Sequence, residues 1–224
     1  MCGRYALHAD PRVIALQFWL ATHPTEAGTR YNIAPGTRVF AVKEEAGLPR
    51  SVEMFQWGLV PFWAKDPKIG YKTINARAET LAEKPAYRAA FRARRCILPA
   101  SGFYEWKRAG GPKQPFFVRP SGDGLFGFAG LYEHWKGPHD GIHSCTIITT
   151  EANQLMRAIH DRMPVILNQE DYARWLDPRN QNVSELQALL KPFDAELMRA
   201  YPVSTRVNNA RNDDAGLLEP VEGG

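Results

Sequence analysis

The middle of the chain leaves it few folds to choose from. Between Arg95 and Thr149, short segments rich in aromatic and β-branched residues follow one another: Arg95 to Leu98, Gly102 to Lys107, Pro115 to Arg119, Leu125 to Trp135 and His143 to Thr149. Turn signals separate them, among them Gly110-Gly111-Pro112 and Ser121-Gly122-Asp123-Gly124. Short connections of this kind join antiparallel strands. Two earlier segments, Arg38 to Lys43 and Ser51 to Trp57, and a short one at Val165 to Leu167 add to the sheet. Helices are expected at intervals. Asp10-Pro11 supplies an N-cap and a Pro at N1 for a helix from Val13 to Leu20 that ends near His23-Pro24. Others are expected from about Lys84 to Arg94, from Glu151 to Ile159 with Thr150 as cap, from Gln169 to Leu176 with Asn168 as cap, and near Ser184 to Leu190. Arg30 to Gly36 and the Pro- and Gly-containing stretch Gly58 to Tyr71 read as loops, and the tail from Pro202 to Val221 as extended. The expectation is one α+β domain over residues 1–224, built on a folded-over or barrel-like, mostly antiparallel sheet with flanking helices.

Composition excludes several classes. With 224 residues, 44% of them hydrophobic, the chain can bury a substantial core. No segment approaches the ~20 apolar residues of a membrane span, and the N-terminus has no apolar signal region. The formal net charge of +4 permits a polyanionic partner without requiring one. The three cysteines, Cys2, Cys96 and Cys145, are far apart and form no CxxC pair, which leaves a zinc ribbon or redox motif unsupported. An odd, low cysteine count fits a reducing compartment, and the cytoplasm is the expected location. Neither a metal nor an organic cofactor is indicated.

The N-terminus, Met1-Cys2-Gly3-Arg4-Tyr5, carries the first chemical signal. Cys2 is small enough for Met1 to be trimmed, which would leave an α-amine and a thiol on one residue. Both are partly nucleophilic near neutral pH. Together they react with an aldehyde: the amine forms an imine and the thiolate closes a thiazolidine. The plain alternative is that position 2 tolerates any small residue. Glu105, in Gly102-Phe103-Tyr104-Glu105-Trp106, shares a strand face with Phe103, so partial burial would raise its pKa; a solvent-facing or salt-bridged Glu is the alternative. His160, in His160-Asp161-Arg162-Met163-Pro164, is a proton shuttle or simply a surface His. Asn75 and Arg77 alternate along one segment and suit a substrate oxygen and a phosphate, or else turn chemistry and an ion pair with Glu79. Phe62 and Trp63 on a Pro-rich loop stack on nucleobases or cover the core. Arg4, Arg77 and Arg162 would line a phosphate-binding edge, whereas Arg88, Arg92, Arg94 and Arg95 read as a solvated helix face.

Six motifs occur in order: Met1-Cys2-Gly3-Arg4, Tyr31-Asn32-Ile33-Ala34-Pro35-Gly36, Trp57-Gly58-Leu59-Val60-Pro61, Ile74-Asn75-Ala76-Arg77-Ala78-Glu79, Gly102-Phe103-Tyr104-Glu105-Trp106 and His160-Asp161-Arg162-Met163-Pro164. The chain thereby resembles the SRAP family, the SOS-response-associated peptidases understood as abasic-site-processing proteins. The resemblance runs to about Val221 and is to the minimal bacterial form. It implies that Cys2, freed of Met1, forms a covalent thiazolidine with the ring-opened sugar of an abasic site in DNA, shielding the strand from cleavage. It implies single-stranded DNA and single-strand/duplex junctions as partners, a monomer, no cofactor, and a protein at the nucleoid when bound. It places Cys2, Asn75, Glu105 and His160 on active-site positions, Arg4, Arg77 and Arg162 on or beside DNA contacts, and Phe62 and Trp63 on an aromatic wedge. Two rivals remain. An N-terminal Cys can serve as the nucleophile of an amidohydrolase or peptidase, and the arginines and aromatics suit a non-catalytic single-strand-binding module.

Overall fold

A computed structural model of the chain describes residues 2–22, 24, 28–107, 113–137 and 141–221. The expected turn at Gly110-Gly111-Pro112 and His23, near the expected end of the first helix, lie outside these residues.

Two sheets make up the fold. The larger is a closed ring of five strands: β3 (Arg38–Lys43), β4 (Ser51–Trp57), β6 (Arg95–Ala100), β9 (Phe126–Trp135) and β10 (Ile142–Glu151). Ring order is β10-β4-β3-β6-β9, and β9 pairs back onto β10 to close it. All of these pairings are antiparallel except β4 with β10, where Ser144 and Cys145 run parallel to Gln56 and Trp57. Ring closure leaves no hydrogen-bonding edge on these strands. The far half of β10 carries two short strands, β5 (Asn75–Arg77) in parallel and β11 (Arg162–Pro164) antiparallel. The second sheet has the order β12-β8-β7-β1-β2, from β12 (Met198–Pro202), β8 (Gln114–Pro120), β7 (Gly102–Lys107), β1 (Tyr5–Leu7) and β2 (Arg30–Ile33). The chain passes from the barrel into this sheet at Ser101, between β6 and β7. The α+β, barrel-like, mostly antiparallel expectation holds.

Alternation along the strands fills the barrel. Phe55 and Trp57 on β4, Tyr132 on β9 and Cys145 on β10 are buried, and Tyr5 of β1 meets Trp57 edge-on at 5.4 Å. Cys96 and Cys145 are buried free thiols whose pKa values burial pushes up, so both are inert packing groups.

Several local expectations need correction. Thr150 caps no helix: β10 continues to Glu151, because Thr149 to Glu151 pair with Arg162 to Pro164. The helix that follows, α3 (Gln154–Arg157), is capped by Asn153, whose side chain accepts from the Met156 N–H at 2.9 Å. The expected strand at Val165 to Leu167 is displaced to β11, with only an isolated bridge from Ile166 to Phe128. Arg30 to Ile33 form β2 rather than a loop, and the tail contains 3-10 turns at Thr205–Asn208 and Ala215–Leu218. The solvated arginine face is also revised. Arg88 and Arg92 are exposed, but Arg94 pairs with Glu133. Arg95 is 2% exposed, and its guanidinium donates to the carbonyls of Phe91, Arg92, Trp175, Asp177 and Asn180. Five accepted hydrogens let a buried cation serve as a hub between α2 (Arg88–Ala93), α4 (Tyr172–Leu176) and the loop beyond it. Asp10 does cap α1 (Pro11–Phe18), accepting from the Arg12 N–H at 2.7 Å.

Candidate active site

β1 brings the N-terminus to β7. Tyr5 lies opposite Phe103, and the Tyr104 N–H donates to the Arg4 carbonyl at 2.9 Å. Continued two residues, this antiparallel register sets Gly3 opposite Glu105, with Cys2 beside it. Cys2 is 1% exposed and Glu105 2%. Burial pushes the Cys2 thiol well above its ordinary pKa, and the neighbouring Glu105 carboxylate pushes it further. Burial likewise pushes Glu105 up to about 7, helped by the Asp161 carboxylate. Glu105 therefore holds a carboxyl that is part acid and part base at neutral pH.

His160 sits in the turn after α3, its N–H donating to the Met156 carbonyl at 2.8 Å. Its Nε2 lies 3.9 Å from Glu105 Oε1. Its Nδ1 has two neighbours, the Arg162 backbone N–H at 3.0 Å and Asp161 Oδ1 at 2.8 Å. The two suit opposite states of one ring. A neutral imidazole accepts from Arg162 and carries its proton on Nε2, towards Glu105; the imidazolium donates to Asp161. An imidazolium that gives up its Nε2 proton is left as the Nδ1–H form, which donates to Asp161.

Asn75 and Arg77 reach the same end of β10 by parallel pairing, Asn75 opposite Ile147 and Arg77 opposite Thr149. The Asn75 amide nitrogen donates to the Ile74 carbonyl at 3.1 Å, and its buried Oδ1 accepts nothing among the described residues. An orphaned buried acceptor costs about 1–3 kcal/mol unless something fills it, so Asn75 Oδ1 waits for a donor. Arg77 is exposed and has no hydrogen-bond or ion-pair partner among the described residues. An open groove of about 410 Å³ runs past Asn75 and Arg77, with Trp63, Lys84 and Tyr87 along it.

Phe62 and Trp63 are 57% and 48% exposed, so they do not serve as a core lid. Their loop is nonetheless firmly held. The Val60 N–H donates to Ser144 Oγ at 2.8 Å, the Thr73 hydroxyl to the Leu59 carbonyl at 2.6 Å and Trp135 Nε1 to the Ala64 carbonyl at 2.7 Å. Gly58, at φ 134°, faces the Gly70 carbonyl so closely that an added Cβ would lie 2.7 Å from that oxygen. A side chain there is excluded twice over, by conformation and by space. Rigid backbone therefore presents two aromatic rings to solvent.

The other two arginines are not free. Arg162 makes a two-point ion pair with Glu79, Nη1 to Oε1 at 2.6 Å and Nη2 to Oε2 at 3.1 Å, and also donates to the Thr149 carbonyl at 2.6 Å. Glu79 thus partners Arg162 rather than Arg77. Arg4 donates through Nη1 to Asn32 Oδ1 and to the Val207 carbonyl, both at 2.8 Å, and lies over the Trp106 ring at 6.0 Å. The Asn32 amide nitrogen in turn donates to the carbonyls of Val207, Asn209 and Asn212. Asn32 and Trp106 buttress Arg4, in the segment that links Cys2 to β1, and sequence reasoning assigned them no role. Both lie inside motifs it had singled out, but nothing in a linear sequence says that Asn32 meets residues 175 to 180 positions away.

The structure gathers buried Cys2 and Glu105 with half-buried His160 and exposed Asp161. It sets Asn75, Arg77 and Trp63 along a groove at the end of β10, with Arg162 adjoining through Thr149. In sequence the chain matches the SOS response associated peptidase (SRAP) family over residues 1–210. It is 46% identical over 224 residues to the abasic site processing protein YoqW of Bacillus subtilis, covering 98% of this chain and 99% of that one. It is 37% identical over 207 residues to the abasic site processing protein HMCES of Gallus gallus, covering 81% of this chain and 61% of that longer protein. A crystal structure of a protein from Bacteroides thetaiotaomicron superposes with a TM-score of 0.89 at 29% identity, covering 99% of this chain and all of the other. The chain belongs to the SOS response associated peptidase (SRAP) family.

Proposed function

We propose that this chain is an abasic-site-processing protein that cross-links itself through Cys2 to abasic sites in single-stranded DNA. The observation that carries the reading is the burial of Cys2 against Glu105, a carboxyl with a pKa of about 7. Removal of Met1 exposes the Cys2 α-amine. His160, as the imidazolium, gives its Nε2 proton to the ring oxygen of the closed sugar while ionised Glu105 takes the C1′ hydroxyl proton, and the C1′ aldehyde is released. The α-amine nitrogen then bonds to C1′, and the carbonyl oxygen departs as water, completing an imine. Glu105 donates a proton to the departing hydroxyl. The Cys2 thiol is held neutral by its surroundings, so it must lose its proton as it attacks; ionised Glu105 accepts that proton. Sulfur bonds to the carbon of the protonated imine, whose nitrogen keeps its one remaining hydrogen as the thiazolidine closes. Asn75 Oδ1 accepts a hydrogen bond from the α-amine or a sugar hydroxyl, satisfying the orphaned acceptor. Holding amine, thiol and aldehyde together supplies several kcal/mol of the barrier, up to ~7–11 in the best intramolecular cases.

Arg77 and Lys84 meet phosphates along the groove, and Trp63 and Phe62 stack on bases or against the end of a duplex, which favours single strands and single-strand/duplex junctions. Arg162, steadied by Glu79, adds a phosphate contact beside His160. Arg4 contributes chiefly by fixing the segment between Cys2 and β1. Several features support this reading over amide hydrolysis: an exposed cation, two solvent-facing aromatics on rigid backbone, and relatives named for abasic sites. The test is a denaturing gel with intact-mass spectrometry. Met1-processed protein is mixed with a single-stranded oligonucleotide carrying one abasic site, beside an undamaged control. A heat-stable adduct with the abasic strand alone, absent in Cys2→Ala, is expected. No adduct from verified processed protein would overturn the reading in favour of the amidohydrolase.

A further inference from the structure

At the opposite end of β10, about 20 Å from Thr149 at ~3.3 Å per residue, the mouth of the barrel holds a second cluster. Glu53 projects from β4, His134 from β9 and His143 from β10. His134 and His143 are direct cross-strand partners, and their rings lie 3.8 Å apart. One ligand atom from each of the three residues falls within 4.8 Å of the other two. His143 Nδ1 is hydrogen-bonded to Glu53 Oε1. Lys43 Nζ holds the other carboxylate oxygen, Oε2, at 2.7 Å, and bonds Glu45 at the same distance. Beside them Phe55 and Tyr132, both buried and tilted against each other with ring centroids 5.3 Å apart, supply apolar surface.

The geometry points to a mononuclear binding site for a borderline divalent transition ion of the Zn2+ class, made by Glu53, His134 and His143. Two imidazoles and one carboxylate are an N,N,O donor set that suits zinc and its first-row neighbours and is poor for calcium or magnesium. Bonds of ~2.0–2.1 Å place tetrahedral ligand atoms roughly 3.3 Å apart, so small side-chain rotations from the present spacing complete the shell. A fourth position faces solvent on the side of the exposed His143. Lys43 plays the part of an outer partner, fixing one carboxylate oxygen so that the other points at the rings. The ion would join β4, β9 and β10 at the barrel mouth and take no part in the chemistry around Cys2.

The test is calorimetric titration of ZnCl2 into the untagged full-length chain, as wild type and in a Cys2→Ala background that removes the N-terminal aminothiol as a ligand. One-to-one saturable binding in both is expected, weakened at least tenfold by His143→Ala and by His134→Asn. Co2+ in place of Zn2+ should give visible d–d bands of a four- or five-coordinate ion, absent in His143→Ala. Saturating Zn2+ should raise the wild-type melting temperature by several degrees and leave that of His143→Ala unchanged. His143 lies at the surface, so its replacement leaves the fold intact. Absence of saturable binding, binding that both histidine variants retain, or binding lost in Cys2→Ala would each overturn the assignment.

Discussion

Glu105 Oε1 lies 3.9 Å from His160 Nε2, where buried β7 meets the half-buried turn after α3. A carboxyl with a pKa of about 7 thus faces an imidazole.

That placement costs stability. The carboxyl pKa is raised in the folded chain, so its contribution is intact below the unfolded value of ~4.3. It is lost as the pH rises through about 7. Replacing the carboxyl by an amide removes the penalty. Glu105→Gln should therefore be more stable than wild type at pH 8, by up to about 3 kcal/mol, with the difference vanishing near pH 4. Urea melts at pH 4, 6 and 8 check this; a difference that does not grow with pH contradicts it.

The same substitution should slow cross-linking by ~10²–10⁴-fold. A wild-type rate profile with a limb near pH 7 should lose that limb in Glu105→Gln. Adduct decay should slow in parallel, since reversal uses the same acid and base. Forward and reverse rates unchanged from wild type would remove Glu105 from the mechanism.

Cys2→Ser and Cys2→Ala retain the α-amine but not the thiol. Their imine persists, acidifies the C2′ proton and invites β-elimination. Both should shift from durable adducts to strand nicking, read on a sequencing gel. Adducts as durable as those of wild type would exclude the thiazolidine.

Arg77 and Trp63 should separate by salt. Losing one phosphate contact in Arg77→Ala lowers the slope of log K against log salt by ~0.7 for a single strand. Trp63→Ala should weaken binding by about 1–3 kcal/mol through lost stacking, leaving the slope unchanged. Fluorescence anisotropy with an undamaged single strand from 50 to 300 mM salt distinguishes the two.

Asn32→Ala should unsettle the segment that carries Cys2 and Arg4. It strips partners from Arg4 and from three carbonyls of the C-terminal segment. The cost is about 3 kcal/mol, or a melting temperature lower by roughly 6–12 °C for a chain of this size. Cross-linking by the folded fraction should slow as well. An unchanged melting temperature would show that Asn32 is dispensable.

The sequence by itself determined the α+β class, most of the long strands and the residues to suspect. Ser51–Trp57 was legible end to end because alternation and turn residues are local signals. Cys2, Glu105 and His160 stood out because their chemistry is a property of residue type and motif. Tertiary structure decided what local signals do not encode. Pairing with β11 kept Thr150 and Glu151 in a strand where capping chemistry suggested a helix. Burial among five carbonyls turned Arg95 from a surface charge into a hub. The ion pair with Glu79 occupied Arg162 and left Arg77 free. The raised pKa of Glu105, the clamp on Arg4 and the Glu53–His134–His143 cluster all arise from desolvation and from proximity across separate strands. Those quantities exist only once the chain has closed on itself.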